Sequence, residues 1–206
     1  MAKDGSEATT HVGAPSGARS EAVPVEARLA DAAFELLDCH DEGQVYTVAG
    51  DFLSLLIPRA IVIVNEAEPG LEHFVTRYVA GLDSTTLGKA ADFAGFSIIG
   101  KRSAVSHALA DQLLGSRLDR VEGGFPELAS SEIPVAAGKV AVKAFGLSDT
   151  YTIGISDAHN TLGNIHIITR SPGTAIPVSL VESFARHCYS ALLWISRPRR
   201  IDSSAE

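Results

Sequence analysis

The sequence predicts an α+β domain built around an antiparallel sheet. Apolar residues recur at helical spacing at both ends of the chain. Between those ends lie two pairs of strand-like segments, and helical insertions separate the pairs. The 206 residues suffice for one domain with a real core, and no internal repeat interrupts them.

Residues 1–24, MAKDGSEATTHVGAPSGARSEAVP, are small, polar, Gly- and Pro-rich, and aperiodic, so a disordered N-terminal tail is expected there, with His11 in it. From Val25 onward Leu29, Ala33, Leu36 and Leu37 follow a helical stripe that ends around Cys39–Gly43. A second helix is expected over Tyr46–Leu56, with Val48, Phe52, Leu55 and Leu56 inward and Pro58 as its stop. Ala60 to Val64 reads as a strand covered on both faces, Glu68-Pro69-Gly70 as a turn, and FVTRYVAGL as the return strand. Strict alternation there puts Phe74, Thr76, Tyr78 and Ala80 on one side and Val75, Arg77 and Val79 on the other.

The middle of the chain is less regular. The expectations are a short helix over Leu87–Phe93, a short strand over Phe96–Ile99, a helix from Ser103 to Leu114 closed by Gly115, and a strand over Arg117–Val121 closed by Gly123-Gly124. Pro134 suits the first turn of a helix running to about Phe145, with Ile133, Ala137, Val140, Ala141 and Phe145 buried. Next comes a hairpin. Tyr151, Ile153 and Ile155 share one strand face, SDAHNTLG is a polar loop, and Ile165, Ile167 and Thr169 share a face of the second strand. A last helix over Val178–Ile195 has Val181, Phe184, Cys188, Ala191, Leu192 and Ile195 in its stripe, and Pro198 opens a C-terminal tail, 198–206.

The composition narrows the function. A formal net charge of −8 disfavours a nucleic-acid partner, because neutralising phosphates takes a basic surface. Arg197, Arg199 and Arg200 read as a solubilising end. Cys39 and Cys188 have neither zinc spacing nor enough company for a disulfide framework, so a reducing cytoplasm is the expected compartment. No apolar run approaches the roughly 18 residues of a membrane span, and no signal-peptide core precedes the domain. GxSxG, HExxH, GxGxxG and Walker-type loops are missing and the carboxylates are scattered, so the protein is not expected to be an enzyme.

The histidines outside the tail stand in different settings. His40 closes a helix, His73 opens a strand, His159 sits among turn formers, and His187 adjoins Cys188. His166 faces the side of its strand opposite Ile165 and Ile167, and is expected to pack under the terminal helices. His107 is read either as an ordinary helix residue or, if its helix walls a cavity, as a polar contact or axial metal ligand. The segments DFAGFSIIG and GGFPEL are strongly apolar yet irregular, which suits either core filling or the lining of a small-molecule pocket. The pocket reading brings Phe93, Phe96, Ile98, His107, Phe125 and Tyr151 to one cavity above the sheet, with His107 and Tyr151 as its polar groups.

Three stretches resemble the GAF domain of bacterial and archaeal PAS/GAF sensor histidine kinases: AIVIVNEAEPGLEHFVTRYVAGL, LLGSRLDRVEGGFPELASSEIP, and FGLSDTYTIGISDAHNTLGNIHIITR with its Leu162-Gly163-Asn164 strand start. The resemblance covers residues 25–197. It implies a GAF-like central antiparallel sheet with the terminal helices on one face and inserted helices and loops over the other. It also implies a small ligand such as a cyclic nucleotide, haem, bilin or metabolite in between, and a homodimer through the terminal helices. Leu29, Leu36, Leu180, Leu193 and Trp194 are the candidate interface residues, Trp194 being a natural anchor. The sequence ends at Glu206 without the kinase region that follows such domains in two-component systems, so output is expected through a partner, a histidine kinase or another signalling protein. Neither cysteine falls where a bilin attachment site would lie. The expected function is therefore a non-enzymatic sensory domain with a small, largely apolar ligand, haem being one candidate. A ligand-free dimerisation or docking module is the alternative, and a redox enzyme ranks third.

Overall fold

The computed structural model describes residues 24–196. The tails expected over 1–24 and 198–206 thus lie outside the described residues, apart from Pro24, which precedes the first helix.

Helices α1 (Val25–Leu37) and α2 (Glu42–Leu56) open the domain. Helix α2 starts four residues earlier than expected because Asp41 caps it: its Oδ1 accepts from the Gln44 amide at 2.9 Å. Strands β1 (Ile61–Ala67) and β2 (His73–Ala80) pair antiparallel. The alternation expected for β2 breaks at Arg77. Val64 pairs with Tyr78 and Asn65 with Thr76, so Arg77 is an extra residue in a bulge. The bulge turns Tyr78 and Ala80 toward the helical core, while Phe74, Thr76 and Val79 face the other side of the sheet.

Helix α3 (Ser84–Ala94) is longer than predicted, with Asp83 accepting from the Thr86 amide and hydroxyl. Phe96–Ile99 is not a strand. It is a bend bracketed by Gly95 and Gly100 at φ 79° and 84°, which extended backbone does not allow. The strand of this region is β3 (Arg102–Ala104), paired to the edge of β2. It takes up Ser103, which was expected to start a helix. That helix, α4 (His107–Gln112), begins only after Ser106 caps the Leu109 amide. Strand β4 (Asp119–Arg120) is followed by α5 (Phe125–Leu128), a single turn that was not anticipated. In α6 (Val135–Phe145) the buried residues are Gly138 and Ala141, and Val140 is exposed, contrary to expectation. The helix docks through Gly138, where a Cβ would come within 2.8 Å of the Pro126 Cα on α5.

Strands β5 (Thr150–Ser156) and β6 (Thr161–Ile168) form the second hairpin, and α7 (Val178–Ile195) closes the domain at its predicted bounds. The sheet order is β3-β2-β1-β6-β5-β4, every pair antiparallel. Val62, Val64, Ile153, Ile155, Ile165 and Ile167 point to one face and pack beneath α1, α2 and α7. There the rings of Phe52 and Phe184 meet at 4.3 Å between centroids. Helices α3 to α6 and their links lie over the opposite face. The architecture is the α+β one the sequence predicts.

Candidate functional site

A cavity of about 230 Å³ lies between that second sheet face and the inserted helices. Strands β1, β2 and β6 form its floor, with Ile63, Thr76 and His166 among the residues exposed to it. Its roof comes from α3, the 96–98 bend, α4, α5 and α6. Two glycines with positive φ, Gly123 and Gly124, turn the chain into α5 and so bring Phe125 over the sheet.

Four of the six residues predicted for the pocket meet in it: Phe93 on α3, Phe96 and Ile98 in the bend, and Phe125 on α5. Two do not. Tyr151 faces the other side of the sheet, where it packs against the helical core beside Ile153 and Ile155, as strand alternation requires. His107 occupies the first position of α4 with its side chain exposed, and Leu109, two residues on, lines the cavity instead. His159 is loop framework: Asp157 Oδ1 accepts from the amides of His159 and Asn160 at 2.7 and 2.8 Å.

His166 does not pack under the terminal helices: strand alternation sends Ile165 and Ile167 there and turns His166 to the cavity, where Asn65, Thr76 and Asn164 join it in the floor. Thr76 Oγ1 donates to Asn65 Oδ1 at 2.8 Å. Asn65 Nδ2 donates to Asn164 Oδ1 at 3.0 Å. Asn164 Nδ2 lies 3.2 Å from His166 Nε2. A buried row of side chains thus crosses β2, β1 and β6. His166 Nδ1 is buried without a partner. Burial pushes the imidazole down to about 4, so the ring is neutral at physiological pH. The signal was present in Gly-Asn-Ile-His-Ile, where Asn164 and His166 alternate with isoleucines and so share the non-core face. At the edge of the cavity Lys101 Nζ pairs with Glu132 at 2.5 Å and sits 4.7 Å above the Phe96 ring centre.

The cavity is too small for haem: its volume of about 230 Å³ lies below the roughly 300–1,000 Å³ of pockets that hold drug-sized ligands. Among the described residues no cluster of three His, Cys, Asp or Glu side chains is placed to hold a metal ion. No described helix is long and apolar enough to cross a membrane.

No family model matches the chain, and no curated protein matches it. Solved structures do. The GAF domain/HD domain protein from Geobacter sulfurreducens superposes with a TM-score of 0.54 at 12% identity, over 78% of this chain and 97% of that one. The chromophore-binding domain of the Stigmatella aurantiaca bacteriophytochrome gives 0.58 at 13% identity, over 85% of this chain and 63% of that one. A protein in its far-red-absorbing dark state with bound biliverdin IXa gives 0.55 at 11% identity, over 82% of this chain and 99% of that one. The fold is GAF-like.

Within this GAF-like frame both cysteines belong to the core under the terminal helices, across the sheet from the cavity. Both are free thiols, and burial raises their pKa values above the ordinary thiol range. The terminal helices of the GAF-like frame carry the candidate dimer residues. Leu36 is only 3% exposed and is spent on the monomer's own core, which removes it from an interface. Leu29, Leu180 and Leu193 are half-buried, and Trp194 is 72% exposed. Leu37 and Leu55, expected in the apolar stripes of α1 and α2, are instead exposed on the helical layer, as is Phe34. The Ser196 hydroxyl donates to Glu42 at the start of α2, so the ends of α1 and α7 lie at the same end of that layer.

Proposed function

We propose that this protein is a non-enzymatic sensory domain that binds a small, mostly apolar molecule in the cavity between the sheet and helices α3 to α6. The observation that carries the reading is an apolar cavity with a buried polar row in its floor, the usual makeup of a small-molecule site. Strand β6 offers the route to the terminal helices. His166 faces the cavity, while its neighbours Ile165 and Ile167 pack in the core beneath α2 and α7. A change in the cavity therefore has one strand to cross before it reaches those helices. A homodimer through α1 and α7, an output partner such as a histidine kinase or another signalling protein, and a cytoplasmic setting complete the proposal.

The test is a thermal-shift screen with neutral one-ring and two-ring compounds, run on the wild type and on Ala129→Phe, which fills the cavity from its roof. Several compounds should raise the wild-type melting temperature and leave Ala129→Phe unmoved. If none stabilises the wild type, the sensory reading fails. The second reading, a ligand-free dimerisation module, then stands on the exposed Phe34, Leu37 and Trp194.

A further inference from the structure

Two charges stand among the apolar side chains of the cavity. Among the described residues that line it, Glu132 is the one carboxylate and Lys101 the one lysine or arginine. They pair with each other, and neither is sealed in. The Lys101 side chain keeps 32% of its surface open and that of Glu132 keeps 17%. Both are within reach of a small molecule seated in the cavity.

The two halves of the pair are not equally fixed. Glu132 sits on the link between α5 and α6, in a turn closed by its own amide on the Ala129 carbonyl at 3.0 Å. Its Oε1 accepts from the Ser131 hydroxyl at 3.4 Å, and its Oε2 faces Lys101. Lys101 is tied down through its backbone, where its carbonyl accepts from the Thr76 amide at 2.9 Å. Its ammonium rides on a flexible four-carbon stem and is strongly hydrated, so it can swing into water. What it leaves behind is a seat for another ammonium: a held carboxylate beside the Phe96 ring, whose centre lies 4.7 Å from Nζ. A ring face attracts a cation, not a carboxylate, and the net charge of −8 draws cations to the protein. The rest of the space suits an aromatic ring, since Phe93, Phe96, Phe125 and Phe145 line it. An apolar cavity of about 150 Å³ holds benzene. This one, at about 230 Å³, has room for a ring and a short chain.

We propose that the cavity takes a protonated arylalkylamine, one aromatic ring on a short chain ending in an ammonium, and that Lys101 holds the ammonium's place beside Glu132 and Phe96 until that ligand arrives. This rests on the cavity being the ligand site. Lys101 is then a tethered competitor, which lowers the ligand's apparent affinity by the fraction of time the seat is filled. Binding exchanges one ammonium for another. It also cuts the tie between the segment before β3 and the α5–α6 link.

Three probes of similar shape test this on the full chain: 2-phenylethylamine, 2-phenylethanol, in which a hydroxyl replaces the ammonium, and 3-phenylpropionate. Binding is measured by calorimetry, and the Lys101 Cε resonance is followed by NMR in carbon-13 lysine-labelled protein. The amine should bind most tightly of the three. It should also move the Lys101 signal, shifted by the Phe96 ring, to the position of a free lysine, while the alcohol leaves it in place. Lys101→Met removes the competitor and should tighten the amine by up to about fivefold, the worth of a partly exposed pair, without changing the alcohol. Glu132→Gln should bring the amine down to the alcohol. If a variant fails to fold, the wild-type ranking and the Lys101 signal decide. An amine no tighter than the alcohol overturns the proposal, as does a Lys101 signal that the amine leaves unmoved. Phenylpropionate binding most tightly overturns it too, and makes Lys101 the receptor of an anion. In each of those cases the cavity remains a binding site. If no probe binds at all, the cavity reading falls and takes this proposal with it.

Discussion

Gly154 on β5 decides how closely the inserted segment approaches the sheet. A Cβ there would stand 1.9 Å from the Leu113 carbonyl oxygen, which is backbone and cannot step aside. Gly154→Ala should destabilise the protein by about 1–3 kcal/mol or more, read as a lower urea midpoint with an unchanged slope. His166 gives a pH prediction. Its folded value is about 4 against an ordinary 6.5, and burial is the cause. The groups facing it are uncharged: Asn164 beside it, Ile63 and Thr152 across from it. Between these pH values the unfolded chain takes up a proton that the folded chain refuses. The stability contributed by the neutral ring is therefore present above about pH 6.5 and is lost as the pH falls through about 4. The loss amounts to about 3 kcal/mol, at about 1.4 kcal/mol per unit. His166→Gln should show a shallower fall of stability over that window, and an equal fall in both proteins would refute the assignment. Phe93, Phe96, Ile98 and Phe125 were legible in the sequence because apolar rings in irregular backbone need a cover. Tyr151 was misplaced by setting aside the alternation with Ile153 and Ile155. His166 was expected on the wrong face because which side of the sheet the terminal helices cover, and the row of Asn164, Asn65 and Thr76 beside it, show only once distant strands pair.

Helix α3 forms part of the cavity roof and has no fully buried residue, so its attachment depends heavily on its ends. Asp83 holds the first turn through the Thr86 amide and hydroxyl at 2.8 and 2.7 Å. Removing that cap in Asp83→Ala should raise amide exchange within α3 by about fivefold and leave β1 and β6 unchanged. Uniform acceleration across the domain would show that the roof does not open by itself. The same contrast between ends and middle explains what could be read at this scale. Helix α7 is long and periodic, and its bounds followed from pattern alone. Strand β3 has three residues and exists because the edge of β2 offers it hydrogen bonds. No local pattern encodes that offer. The bulge at Arg77 is hidden in the same way, since strict alternation is the simplest reading of FVTRYVAGL and only pairing with β1 reveals the extra residue.

Across the whole molecule the sheet separates an apolar cavity on one side from a helical layer with exposed apolar side chains on the other. Trp194 and Leu37 are 72% and 76% exposed on the helical layer, and the proposed dimer would cover them. The double variant Leu37→Glu and Trp194→Glu should convert a dimer into a folded monomer in sedimentation experiments. A wild type that sediments as a monomer at tens of micromolar would defeat the dimer. Trp194 has one more use. It is the single tryptophan of the chain, it is bathed in water, and it stands on the helical layer, across the sheet from the cavity. The protein therefore carries its own optical gauge. Its emission colour reports on the helical surface alone, shifting to the blue if a second copy covers the indole. A compound held in the cavity cannot touch that ring, so any colour change it produces has travelled through the sheet.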